Sequence, residues 1–358
     1  MRSTGVLAGV PGVLSDEEVA ATAAWVADVQ LPSGLIPWFE GAHADPWNHV
    51  ECAMALTAAG HVDAANAAYD WLARHQLGDG SWFNYYVGEA VKDPRLDVNV
   101  CAYVAAGVYH HLIATGDVDA AAQRWPMVER AMDFVVGRQR GDGAITWSLD
   151  RAGRPESYAL LTGSSSIFHS LRCAVALAER LDHHRPAWEL AAGRLGHALV
   201  HHSESFAPKD EFAMDWYYPV LSGAVTGEAA ARRLDAGWSR YVMDDYGVRC
   251  VSSNDWVTAA ETAETVLALD AAGRRDPALE LLARTRRHRR EDGSYLTGIV
   301  YPQRVTFPGD EVSSYTAAAI LLAVDALSDS SAAAGLFRPG ALVDTLDWPE
   351  SGCPFAAS

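Results

Sequence analysis

The chain has 358 residues and a formal net charge of −18, from 28 basic and 46 acidic side chains. Such an excess repels nucleic-acid phosphates and anionic membrane surfaces, and no Lys/Arg-rich stripe offsets it, so neither is expected as a partner. Hydrophobic residues make up 49% of the chain, enough for a large core, yet no window approaches 18 unbroken apolar residues and no membrane-spanning helix is expected.

Residues 1–14 hold one arginine and no sustained apolar stretch, so no signal peptide is expected. Taken in chain order, alanine-rich apolar and amphipathic windows predict helices at 16–30, 46–59, 62–76, 98–115, 122–138, 164–180, 186–201, 215–224, 228–241, 256–272, 275–289 and 312–327. Ser15 with Glu18 forms a capping box that opens the first, and Pro46 suits the first turn of the second. The helices alternate between an outer set, beginning with 16–30, and an inner set, beginning with 46–59. Twelve such helices predict an all-α fold, an (α/α)6 toroid forming a single domain over 1–327. No run suits a parallel sheet. Residues 328–358, rich in Ser, Ala, Gly and Pro, are expected to pack on the surface as a tail.

A repeat supports this arrangement. An aromatic-aliphatic pair, a Gln four residues after its second member, and a Gly four residues after that recur as Trp25-Val26, Gln30, Gly34; Trp71-Leu72, Gln76, Gly80; and Phe134-Val135, Gln139, Gly143. A fourth copy ends on Gly293 without the glutamine. Each reads as a helix end closed by a glycine of positive φ, with Trp82, Trp147 or Tyr295 packing over the turn. A second match aligns the helix from Glu51 to Gly60 with that from Glu264 to Gly273, so that Glu261 takes the place of Asn48.

The five cysteines, at 52, 101, 173, 250 and 353, form no CxxC pair. They read as reduced, which points to the cytoplasm, with no metal site and no cofactor. Histidine doublets at 110–111, 183–184 and 201–202 lack metal-ligand spacing and read as surface or outer-helix features. The run 284–292, RTRRHRRED, reads as a solvated helix end.

In a toroid the inner helices start around one mouth, so the loops entering them should carry the chemistry. The first, 36–51, holds Asp45, Trp47, His49 and Glu51. The segment 250–264 holds Asn254, Asp255, Trp256, Glu261 and Glu264. The others bring Asp97, then Asp215 with Trp216 and Tyr218, and lastly Asp310, Glu311 and Tyr315. Aromatic faces stack on pyranose rings while carboxylates bond the hydroxyls. Glycosidic cleavage needs one acid to protonate the leaving oxygen and one carboxylate to activate water or attack carbon. Asp45 and Glu261 are the candidate catalytic pair, with the remaining residues named here as substrate-binding. Each acid equally suits a helix N-cap or first turn, and Glu51 and Glu264, kept in both repeats, suit a structural role as well. His49 suits either a substrate hydroxyl or a structural hydrogen bond.

The Gln-Gly-aromatic turn resembles the repeat of triterpene cyclases and prenyltransferases, and also the turns of toroidal glycoside hydrolases. The Asp-x-Asp-Asp, DDxxD and Asp-x-Cys motifs of the isoprenoid families are absent: Asp244-Asp245 and Asp117-Val118-Asp119 complete none of them. The segments HADPWNHVE, ETAE and MDWYYP are similar to those of actinobacterial α-(1→4)-endomannosidases that cut methylmannose polysaccharide. That resemblance implies endo-hydrolysis of an α-mannosidic bond without a cofactor. Two working carboxylates, an oligo- or polysaccharide as partner, and a monomer or small homo-oligomer are expected. An isoprenoid-directed enzyme and a non-catalytic polysaccharide-binding toroid are the alternatives.

Overall fold

The computed structural model describes residues 7–343. Its helices are α1 (Asp16–Val29), α2 (Pro46–Ala58), α3 (Val62–His75), α4 (Val98–Thr115), α5 (Val118–Val136), α6 (Leu161–Arg180), α7 (Pro186–His201), α8 (Ala213–Leu221), α9 (Gly227–Tyr241), α10 (Ala259–Ala271), α11 (Arg275–Arg284) and α12 (Ser314–Ser328). The even-numbered helices pack on one another in the cyclic order α2, α4, α6, α8, α10, α12 and back to α2. Each is backed by an outer helix: α3 on α2, α5 on α4, α7 on α6, α9 on α8, α11 on α10 and α1 on α12. This is an (α/α)6 toroid.

Inner and outer helices differ as their surroundings require. α2, α4 and α12 are buried around almost their whole circumference, whereas α3, α5 and α9 bury one stripe and expose the other. The capping box of Ser15 and Glu18 is formed, and Asp45 caps α2 ahead of Pro46.

The repeated turn is a clamp between neighbouring outer helices. Gln30 Nε2 donates to Gly34 O at 2.9 Å and to Ala64 O of α3 at 2.9 Å. Gln76 bonds Gly80 O and Met127 O of α5 in the same way, and Gln139 bonds Gly143 O and Ala191 O of α7. The glycines take positive φ, +97° at Gly34 and +94° at Gly80, and a Cβ on either would overlap the carbonyl of Ala67 or Arg130 on the next outer helix. Gly293, the degenerate copy, lies against Ala21 and Thr22 of α1. Arg289 stands where the other copies have glutamine and donates to Glu18 O at 3.3 Å, while Arg286 bonds the Glu18 carboxylate at 2.8 Å. The basic run expected to be solvated therefore ties α11 to α1 and shuts the ring, and its α-helix ends at Arg284 with a 3-10 turn over Thr285–Arg287.

Short antiparallel strands occupy the loops that enter the inner helices. A hairpin of β1 (Tyr85–Val87) and β2 (Ala90–Asp93) precedes α4, and β3 (Leu96–Asp97) pairs with β4 (Ser148–Leu149). A five-stranded meander of β5 (Val242–Met243), β6 (Gly247–Arg249), β7 (Trp256–Thr258), β8 (Gly298–Val300) and β9 (Val305–Thr306) flanks the start of α10. Trp256–Thr258, expected as helix, is strand because these aromatic and β-branched residues pair with Gly298–Val300. His110 and His111, expected at the surface, are buried in α4, and burial pushes them down to about 3 and about 4.

Of the expected tail, residues 344–358 lie outside the described residues. Leu336 and Leu342 are buried in the core, Phe337 stacks on His169 at 4.7 Å, and Arg338 bonds Asp270 of α10 at 2.7 Å. Cys52, Cys101 and Cys173 are free and buried, and Cys250 is free and half-buried; Cys353 lies outside the described residues. No helix among the described residues is long and apolar enough to cross a membrane.

The clamp predicts a sharp contrast within one turn. Gly80→Ala should destabilise the protein by about 2–4 kcal/mol, through positive φ and overlap with Arg130 O. Gly78→Ala, with nothing within 4 Å of its Cβ, should be close to neutral. Thermal denaturation of the two variants checks this; equal melting temperatures would dismiss the clamp.

Candidate active site

All six inner helices start at one end of the toroid and present their first turns to a single cavity of about 590 Å³. The lining includes Trp47 and Asn48 of α2, Asn99 and Val100 of α4, Thr162 and Gly163 of α6, Met214 and Asp215 of α8, Glu261 of α10 and Tyr315 of α12. Every inner helix thus contributes its second or third residue. The residues immediately before four of them, Asp45, Asp97, Leu160 and Phe212, line the wall too.

Helix N-termini carry positive partial charge and orphan N–H groups, which explains where the acids sit. Asp45 Oδ1 accepts from Asn48 N at 2.9 Å, and its Oδ2 accepts from Asn48 Nδ2 at 2.7 Å and Trp38 Nε1 at 3.1 Å. Despite these donors, burial raises its pKa. Asp97 accepts from Val100 N at 3.1 Å, and burial lifts it to about 6. Asp215 accepts from Thr162 N at 3.2 Å and Thr162 Oγ1 at 2.6 Å, and burial raises it as well. By ring order, Asp45 and Glu261 stand one helix apart with Tyr315 between them, while Asp97 lies across from Glu261.

Beneath this wall Glu51 and Glu264 are buried side chains, each 2% exposed. Glu264 accepts from the hydroxyls of Tyr217, Tyr218 (3.0 Å) and Tyr315 (3.2 Å). Burial and the neighbouring Glu261 charge raise it to about 8 against the three tyrosines. Glu51 has an oxygen with no partner, and burial beside Glu264 raises it well above the ordinary carboxylate range.

Of the residues the sequence marks, the structure brings Asp45, Trp47, Asp97, Asp215, Glu261 and Tyr315 to the cavity. Glu51, Glu264 and Tyr218 lie under it. His49 is fully buried, accepting from Ile36 N at 3.0 Å at Nδ1 with Nε2 2.9 Å from Ala68 O, so it ties α2 to the preceding loop and to α3. Trp216 turns outward between α8 and α9, donating to Arg233 O at 2.9 Å and stacking on Tyr241. Trp256 belongs to the meander and donates to Phe307 O at 3.1 Å. Asn254 and Asp255 sit in an exposed turn, where Asp255 pairs with Arg249 at 3.0 Å. Asp310 accepts from Thr306 at 2.9 Å and Glu311 from Thr297 at 3.0 Å, both away from the cavity.

The cavity also takes side chains that sequence reasoning did not assign to it: Trp38, Tyr85 and Arg95 near the hairpin, and Trp147 with Tyr158 in the loop before α6. Trp147 was expected to cover its turn, as Trp82 does by donating to Leu72 O; strand pairing of β3 with β4 swings it to the cavity instead. The aromatic run 82–86 was the available signal for the hairpin. Among the described residues, no group of three or more His, Cys, Asp or Glu side chains is placed to hold a metal ion.

Known proteins of the same shape and sequence complete the picture. The chain is 50% identical over 330 residues, 92% of its length and 91% of the relative's, to the MMP endo-(1,4)-3-O-methyl-alpha-D-mannosidase of Mycolicibacterium hassiacum. The chain belongs to that endomannosidase family. It is accordingly a glycoside hydrolase. Solved structures of the same fold include a D-mannose isomerase (TM-score 0.66, 13% identical, 86% of this chain and 96% of that one). Another is a glycosidase (TM-score 0.69, 16% identical, 87% and 96%). No family model matches.

The buried acids make stability depend on pH with a definite sign. In the folded state Glu51 and Glu264 keep protons that the unfolded chain releases above the ordinary value of 4.5. Stability should therefore fall as pH rises from 5 to 8, by up to about 1.4 kcal/mol per pH unit for each acid. Glu51→Gln should flatten the decline and melt higher than wild type at pH 7.5. Parallel melting curves for the two proteins would count against the buried proton.

Proposed function

We propose that this enzyme hydrolyses internal α-(1→4) bonds of a 3-O-methylated mannan, with Asp45 and Glu261 as its working carboxylates. The observation that carries the assignment is positional: the first turns of α2 and α10 bring both acids to one cavity, on either side of Tyr315. The substrate and the endo action follow the relative whose name states them. We take the single toroid as the catalytic unit.

Burial favours the neutral form of Asp45, which suits it to give its proton to the glycosidic oxygen as the C–O bond breaks. Glu261, half-buried on the wall, supplies the negative charge that meets the developing oxocarbenium carbon, directly or through a water it deprotonates. Trp38, Trp47 and Trp147 offer faces for sugar rings. Asp97, held up at about 6 across from Glu261, is the competing proton donor.

Incubation with 3-O-methylated α-(1→4)-mannan oligosaccharides, read by product mass, tests the assignment. Asp45→Asn and Glu261→Gln should each lower kcat by about 10²–10⁴-fold with the fold kept. Wild-type kcat/KM should fall as pH rises through the raised pKa of the acid, which must carry its proton. Retained activity in Asp45→Asn with loss in Asp97→Asn would transfer the acid's role to Asp97. Failure of the wild type to cut any mannan would refute the reading.

A further inference from the structure

Asp45 Oδ2 is held from two directions. The helix it caps supplies Asn48 Nδ2, and the loop ahead of it supplies the Trp38 indole, whose Nε1–H donates at 3.1 Å. An N–H donor favours the charged form of a carboxylate, so the placement of this indole sets how readily Asp45 keeps a proton. Whatever fixes the indole is therefore part of the acid's environment.

The backbone of this loop is anchored without any side chain from position 43. Ser314 N donates to Trp38 O at 2.7 Å, Ser314 Oγ to Pro37 O at 2.7 Å, and Trp38 N to His43 O at 2.9 Å. A bridge between Ala44 and Tyr86 brings the β1–β2 hairpin against the same loop. The half-buried His43 ring sits where the two meet. Its centroid lies 4.7 Å from that of Trp38 and 4.5 Å from that of Tyr85, the latter edge-on, at the close end of aromatic contact. Trp38 and Tyr85 both line the cavity and His43 does not, so the imidazole backs two wall side chains from outside the lining.

Ionisable groups surround the array on both sides. Tyr85, Lys92, Asp93 and Arg95 belong to the hairpin side, and Asp45, with Glu51 and Asp97 beyond it, to the cavity side. Burial, and then the Lys92 charge, hold His43 below its ordinary value of 6.5. At neutral pH the ring is therefore uncharged, and what it offers its neighbours is a flat surface.

We propose that His43 is a positioning residue: wedged between Trp38 and Tyr85, it holds the Trp38 indole on the Asp45 carboxylate. The inference deepens the endomannosidase reading above and rests on Asp45 as its acid.

The test measures kcat, KM and the pH profile on 3-O-methylated α-(1→4)-mannan oligosaccharides for wild type, His43→Ala, His43→Phe, Trp38→Phe and the double variant Trp38→Phe/His43→Ala. His43→Ala should lower kcat about 10–100-fold, with a smaller change in KM. It should also raise the alkaline limb of kcat/KM by about 1 pH unit, because Asp45 keeps its proton longer once a donor is lost. Trp38→Phe should raise the limb equally, and the double variant no further, since the imidazole acts through the indole. His43→Phe keeps a flat ring in the gap and should recover most of kcat. The Trp38 indole N–H signal, identified in proton–nitrogen NMR spectra by its loss in Trp38→Phe, should follow the titration of Asp45 in wild type and cease to in His43→Ala. A His43→Ala protein that melts lower but keeps the wild-type limb and indole signal overturns the proposal. Equal losses in His43→Ala and His43→Phe overturn it as well, since the imidazole itself would then be required. Should wild type cut no mannan, the endomannosidase reading falls, and the indole signal alone decides whether His43 holds Trp38 on Asp45.

Discussion

The close approach of each glycine turn to the next outer helix is the contact on which this molecule is organised. Without a Cβ, Gly34 and Gly80 bring their turns against backbone carbonyls of α3 and α5, and the glutamines hold the register with paired hydrogen bonds. Gly293 makes the matching approach to α1, with Arg289 in the glutamine's place. Such contacts join α1 to α3, α3 to α5, α5 to α7 and, through Gly293, α11 back to α1. Because these contacts are backbone to backbone, they set the spacing of outer helices largely independently of which side chains fill the core.

With the outer helices so spaced and each connection returning the chain, the inner helices run parallel to one another. Their N-termini therefore converge on one cavity, and their dipoles add there. That convergence makes the mouth hospitable to carboxylates, while burial pulls the other way by penalising charge. Asp45 and Asp97 sit at the balance, accepting backbone N–H groups yet held above their ordinary pKa. The same groups that finish the helices are thus poised to carry protons. One turn deeper, where water is gone, Glu264 needs three tyrosine hydroxyls and Glu51 is left with an unpartnered oxygen.

The parts of this arrangement that were legible beforehand are the ones encoded locally. Capping by Ser15 and by Asp45 before Pro46, the positive-φ glycines and the alternation of buried with amphipathic helices each depend on a few neighbouring residues. The strands were not legible, because two- and three-residue segments such as Trp256–Thr258 are strand only through pairing, here with β6 upstream and with β8 about 40 residues downstream. Nor was the direction of aromatic side chains. Trp47 and Trp216 occupy similar places after an Asp near a helix start, yet one lines the cavity and the other packs against α9.

Residue pattern and spacing were enough for the toroid, the ring of inner-helix mouths and the acidic, aromatic character of the loops entering them, since these follow from periodicity, capping and turn chemistry. Which acids face the cavity, which lie under it and which stay on the outer surface depended on the packed ring. Glu261 and Glu264 lie one turn apart on the same helix, and only the depth of their neighbours separates a wall carboxylate from a buried one. Asp255 and Asp310 have the same chemistry as Asp45, but the meander holds them against its own turns and strands. Depth and direction are properties of the assembled toroid, because burial and hydrogen-bond partners come from elements far apart in the chain.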